Sequence, residues 1–339
     1  MRTYYEREIV TEVDLCDSHG RLNEDSVGWA REPIINCNLK GRWLRKKKWN
    51  YWCVMSETCL FSATISNIDY AGMVFVYFLD YKTMKFIEKT IMTPFGSGCA
   101  MPSGVHENVS FKNKQMDIQL IYDGGDTRLI VRSDDFGGEK LNADIRVHYP
   151  ERYETLNVVI PWNKRTYQFT SKHEGMPASG MVKVGEKAYD LNEGAYGTLD
   201  FGRGIWPYKV SWNWANAGGE QKGRRIGLNL GGQWTDHTGM NENAVVVDGK
   251  LSKISCDMIF EYDKSNLMNP WKIRDAENKY VDLVVTPFYE RIAKSDLGII
   301  VSEVHQMIGR FNGRVRTSDG DYVNIENLLG TIEDHFGKW

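Results

Sequence analysis

The chain has 339 residues, and its 42 basic side chains against 45 acidic ones leave a formal net charge of -3. That balance offers no general attraction to nucleic acid or anionic membrane. The length exceeds the size at which one hydrophobic core usually stops growing, so two domains are expected. Aromatic residues make up 12% of the chain, with 11 Trp, 17 Tyr and 13 Phe beside 32 Gly, a mixture suited to pleated sheets with tight turns and bulges.

In chain order, MRTYYEREIV is charged from its second residue and reads as no signal peptide. No later segment approaches the roughly 18 consecutive apolar residues of a membrane helix. Six cysteines, at 16, 37, 53, 59, 99 and 256, form no CxxC pair. They are expected to be free, buried thiols in a reducing compartment, hence a cytoplasmic location. The basic run RWLRKKKW at 42–49 reads as a solvated strand edge; base stacking by its tryptophans is the alternative. Period-two strands follow at 72–80, 109–123 and 127–133, with turns at Asn113-Lys114 and Gly124-Gly125-Asp126.

A seam is expected within VVIPWNKRTYQF, at Pro161, giving domains 1–165 and 166–339. Further on, Asp248-Gly249 signals a tight hairpin within 244–263, and Pro287 signals an edge or a bulge within the strand 281–292. At the C-terminus, Ile325, Leu328, Leu329 and Ile332 have helical spacing and predict a short helix. Many short strands with regular turns imply an all-β fold of closed or sandwiched antiparallel sheets.

The densest stretch is TLDFGRGIWPYKVSWNWANAGG, 198–219. As a strand it places Trp206, Tyr208, Val210, Trp212 and Trp214 on one face and Lys209, Ser211 and Asn213 on the other. In RIGLNLGGQW, Gly227, Asn229 and Gly231 share a face, and the glycines leave room for close approach to the backbone. The ring wall fits either a barrel core or the lining of a small-molecule site. Asp200 and Arg203 before it, and Glu242 and Asn243 in DHTGMNEN after it, supply the polar groups of a site. A carboxyl group walled by indoles holds its proton to higher pH, and the rings stabilise a developing cation.

Other motifs lead nowhere. DFG occurs twice, without a kinase catalytic loop; KHEGMP lacks the second histidine of a zinc motif; DHTGMNEN lacks calcium-loop spacing. No metal or cofactor is expected. His173-Glu174 and His106-Glu107 read as loop pairs, and His173 is the better acid-base candidate because it lies just upstream of the aromatic stretch.

With LCDSHGRLNEDSVGWAREPIINCNL, RKKKWNYW, IPWNKRTYQFTSK, DFGRGIWPYKVSWNWANA, IGLNLG and NENAVVVDG in order, the chain resembles a bacterial family known as domain of unknown function 2804. More distantly, GMVKVGEKAYDLNEGAYGTLDFGRGIWPYKVSWNWA is similar to a strand pair of the lipocalin-like superfamily of AttH-type proteins, carotenoid hydratases and natural-product cyclases. That resemblance implies two consecutive lipocalin-like barrels with an aromatic-lined cavity. It also implies that Asp200 corresponds to the hydratase acid, with Trp212 and Trp214 as walls. Phe201-Gly202-Arg203-Gly204 directly after Asp200 departs from the hydratase pattern.

The expected function is cofactor-independent, acid-assisted lyase, hydratase, hydrolase or isomerase chemistry on a small molecule. Asp200, Glu242 and His173 are the catalytic candidates. Arg203, Trp206, Tyr208, Trp212, Trp214, Asn229 and Asn243 are the binding candidates. The alternatives are a glycosidase-like enzyme using Asp200 and Glu242, and a non-catalytic carrier of a lipid or isoprenoid.

Overall fold

The computed structural model describes residues 4–296 and 300–339. The expected all-β fold of two lipocalin-like barrels holds, each realised as a curled antiparallel sheet. Among the described residues the first has thirteen strands, and its central members run in the order Cys59–Asn67, Lys46–Met55, Ala195–Ile205, Thr166–Val184, Glu139–His148. The second has nine, with Arg224–Gly232, Lys209–Gln221, Tyr322–Lys338 and Val301–Arg316 at its centre. The chain passes from one sheet to the other between Ile205 and Lys209. The 165/166 seam therefore falls on a hairpin turn inside the first sheet, where Leu156–Asn163 folds back onto Thr166–Val184.

Alternation divides each central strand into two environments. Odd positions such as Tyr167, Phe169, Leu199 and Phe201 fill the first barrel. Ala215, Ala217, Leu228 and Ile332 fill the second. The opposite faces meet between the sheets, where one cluster gathers Trp29, Trp206, Val210 and Trp234 and another gathers Tyr51, Tyr77, Trp214 and Ile308.

Two local expectations are met. Asp248 and Gly249 turn a hairpin with φ of 52° and 85°, the double positive φ that favours this pair. Pro287 marks a register shift between Pro287 and Tyr289, a bulge that spares the ladder a missing donor.

Three expectations need correction. The C-terminal helix is the strand Tyr322–Lys338. Phe311 pairs with Leu328 and Gly313 with Ile325, so one extra residue is inserted there, at Asn327 with φ 55°. The bulge flips the parity of the inward face from Val323 and Ile325 to Leu328 and Ile332, and this imitates helical spacing. The run RWLRKKKW is not a free edge, because Lys46–Met55 lies between two strands and Lys47 is only 1% exposed. His173 and Glu174 stand in a nineteen-residue strand rather than a loop.

Candidate functional site between the sheets

Two rows of side chains face each other across the inter-sheet space. On the first sheet Lys172 pairs with Asp200, and Asp200 with Tyr51. On the second, Gly231, Trp214, Glu333 and Gln306 are successive cross-strand neighbours. Lys172 joins the rows: its Nζ lies 2.9 Å from Asp200 Oδ1, 3.1 Å from Glu242 Oε2 and 4.3 Å from the centroid of the Trp214 ring. Burial opposes the lysine's charge, but the two carboxylates outweigh it and hold its pKa above the ordinary value.

Asp200 accepts from three donors: Lys172, Trp49 Nε1 at 3.0 Å and Thr170 Oγ1 at 3.1 Å. The glycines after it make this possible. A Cβ on Gly202 would stand 2.1 Å from the Trp49 indole, so only glycine lets that ring lie along the strand and reach Asp200. Phe201-Gly202-Arg203-Gly204 is thus an alternation of bulky inward side chains with bare outward positions. The face of Gly227 and Gly231 is approached by the chain itself: a Cβ on Gly231 would meet Glu242 Oε1 at 2.2 Å, and one on Gly227 the Glu174 carbonyl at 2.6 Å.

Three further carboxyl groups crowd this space. Glu242 accepts from Trp234 Nε1 at 2.7 Å, while its Oε2, although at ion-pair distance from Lys172, has no aligned hydrogen bond. Glu174 accepts from Thr198 Oγ1 at 2.8 Å through one oxygen and has no partner on the other. Glu333 accepts from Trp212 Nε1 at 2.7 Å. Burial raises the pKa of all three, that of Glu174 well above the carboxylate range and that of Glu333 to about 7. Four carboxyl groups around one lysine cannot all ionise in a dry space, so the cluster retains protons near neutral pH.

Indoles surround it. Trp206 stacks on Trp234 at 5.4 Å and 20°, with Trp162 at 4.8 Å, Trp49 at 5.7 Å and Trp212 at 5.9 Å. Asn229 accepts from Trp214 Nε1 at 2.7 Å and donates to the Glu242 carbonyl, while Asn243 accepts from Gly231 N–H at 2.7 Å. Both asparagines set the walls. Asp200, Trp49, Trp162 and Trp212 are the partly exposed members, so solvent reaches the cluster past these four.

The structure therefore brings together Asp200, Glu242, Trp206, Trp212, Trp214, Asn229 and Asn243. It does not bring in three others. Tyr208 is 44% exposed on the link between the sheets. Arg203 points into the first barrel, where its guanidinium donates to the carbonyls of Pro102, Trp49 and Gly202 and to Asn50 Oδ1; burial lowers its pKa to about 9. His173 faces the interior of the first barrel, between Tyr149 OH at 2.9 Å and Ser171 Oγ at 2.9 Å. Ser171 donates to Asn157 Oδ1 at 2.6 Å, so its only proton is committed. His173 Nε2 must then donate to Ser171, and Nδ1 accepts from Tyr149. Burial, with His106 adding to it, keeps this imidazole neutral well below its ordinary pKa.

Lys172, Glu174, Glu333 and Trp49 are members that the sequence reading missed. The signal for two of them was the period of a strand: in Lys172-His173-Glu174 the outer two share a face and the middle one takes the other.

No curated protein matches the chain. Among solved structures it is similar to kievitone hydratase from Nectria haematococca, with 8% identity over 87% of this chain and 89% of that one and a TM-score of 0.53. It is also similar to CghA, with 11% identity, coverage of 87% and 88% and a TM-score of 0.52. These likenesses are of fold. Residues 6–339 match the model of the family described as Domain of unknown function (DUF2804), and the chain belongs to that family.

Proposed function

We propose that this protein is a cofactor-independent enzyme that moves protons on a small, largely apolar, unsaturated molecule at the inter-sheet cluster, by hydration, elimination or isomerisation. The observation carrying this reading is Glu333: a carboxyl group beside the Trp212 indole, with a pKa raised to about 7 by burial, which suits a general acid at neutral pH. Glu333 supplies the proton. Trp212 and Trp214 present ring faces to the cation that develops, and Asp200, held by Lys172, Trp49 and Thr170, positions or deprotonates the attacking water. The fold likeness to a protein named as a hydratase supports this class; a solved CghA complex with Sch210972 shows that protein with a small molecule. Sugar hydrolysis by Asp200 and Glu242 fits less well, because Lys172 stands 2.9 and 3.1 Å from them, in the gap a glycosidase leaves for substrate.

The test is to incubate the protein with a cell-extract metabolite pool, identify by mass spectrometry the molecule consumed, and assay variants on it. Glu333→Gln is expected to lower kcat by about 10²-fold or more and to remove the limb of the pH profile near neutrality. Full turnover by both Glu333→Gln and Asp200→Asn would sink the reading.

A further inference from the structure

Lys47 shares the outward face of its strand with Trp49 and Tyr51, at the opposite end of the indole cluster from Lys172. It is 1% exposed, and its one hydrogen bond among the described residues runs to the Ile68 carbonyl at 3.4 Å. Among the described residues no carboxylate pairs with it, since the neighbouring Asp69 is taken by Lys46 at 3.0 Å. Its Nζ lies 4.2 Å from the Tyr70 ring centroid and 5.7 Å from that of Trp339. Among the described residues the Tyr70 hydroxyl and the Trp339 indole N–H are themselves buried and without hydrogen-bond partners. The nearby Arg45 guanidinium is spent on the carbonyls of Trp206 and Trp339.

A buried amine without a counterion, beside two buried donors without acceptors, is an arrangement that structural packing alone does not favour, because such groups are nearly always satisfied. A carbonyl group offers what the three lack: an oxygen that accepts from O–H or N–H donors and an electrophilic carbon for the amine. We propose that Lys47 is a carbonyl-capturing amine, forming an imine with an aldehyde or ketone seated against Tyr70 and Trp339.

The Nζ lone pair attacks the carbonyl carbon and a C–N bond forms. As the C=O π bond breaks, the oxygen takes one proton from the amine nitrogen and a second from solvent by way of the Tyr70 hydroxyl; the C–O bond then breaks, water leaves and a protonated imine remains. Burial first, and Arg45 second, bring the lysine's pKa down to about 7, so much of it is the neutral nucleophile at physiological pH. This step is independent of the acid role given to Glu333, and its test needs no natural substrate.

The full-length protein is treated at pH 7 with limiting butanal and sodium cyanoborohydride, which reduces any imine to a stable butylamine, and the sites are mapped by peptide mass spectrometry. Lys47 should be labelled at least about tenfold faster than the exposed Lys114 and Lys264. Tyr70→Phe should slow the labelling of Lys47, and Lys47→Arg should remove it from that peptide. Labelling of Lys47 no faster than that of Lys114 and Lys264 overturns the proposal. The comparison is internal to the unmodified protein, so it decides the matter even where a variant fails to fold.

Discussion

The two faces of the strand Thr166–Val184 handle buried polarity in opposite ways. Toward the second sheet, Lys172 and Glu174 join Asp200, Glu242 and Glu333 in a cluster with more carboxyl groups than cations. Toward the first barrel, Ser171 and His173 join Tyr149 and Asn157 in a neutral chain in which every proton has an assigned acceptor. The first retains mobile protons and opens to solvent at Asp200; the second is closed and complete. Chemistry needs the former, and a barrel interior tolerates only the latter.

Removing the charge that unites the acid cluster should have the largest effect. Lys172→Met leaves Asp200 and Glu242 without their shared cation and should cost about 3–5 kcal/mol at pH 7, measured by urea unfolding. The loss should shrink toward acid pH, because burial raises the pKa of Glu242 and favours its neutral form. A pH-independent loss would mean that lysine packing, not charge, was removed.

Next comes the pH dependence itself, which should differ in sign between the faces. Glu333 has a folded pKa of about 7 against an ordinary value of 4.5, so the unfolded chain releases this proton first. Its contribution to stability falls as pH rises from about 4.5 to 7, by roughly 3 kcal/mol. His173, with its pKa lowered, stays neutral in the fold while the unfolded chain takes up a proton below its ordinary 6.5, so stability is lost as pH falls below that value. Glu333→Gln should therefore be the more stable protein above pH 7 and lose its advantage toward pH 4.5. Equal unfolding midpoints for variant and parent across that range would contradict the raised pKa.

A smaller loss is expected on the neutral face. His173→Phe leaves the Tyr149 hydroxyl without its acceptor and removes the donor to Ser171 Oγ, and should cost about 1–3 kcal/mol. It should leave turnover of an identified substrate within a few-fold of the parent; loss of kcat without loss of stability would restore a catalytic role for this histidine. The smallest effect belongs to Tyr208→Ala, where the ring is 44% exposed. Its unfolding free energy should stay within about 0.5 kcal/mol of the parent, and a larger shift would show that the link between the sheets carries more load than its exposure implies.

Much of the architecture could be read from local pattern. Alternation and turn chemistry mark the hairpin at Asp248-Gly249 and the bulge at Pro287, because these depend on a few neighbouring residues. The bulge at Asn327 hid a strand as a helix, since one inserted residue turns period two into an i, i+3 step. The error concealed Glu333. In Lys172-His173-Glu174, attention to the histidine as a motif fragment obscured the two flanking residues that share the opposite face.

By itself the sequence determined an all-β chain rich in rings, the composition of the stretch around Asp200, and the bare backbone of Gly227 and Gly231. Only the tertiary structure decided what meets those features. The rings line the space between two sheets instead of a barrel cavity. The glycines admit Glu174 and Glu242 of the same chain. The reason is that a strand's pattern specifies which residues share a face, whereas the partner of that face, and hence the desolvation and charge that set each pKa, comes from other elements of the chain, as when Trp49 reaches Asp200 across 151 residues.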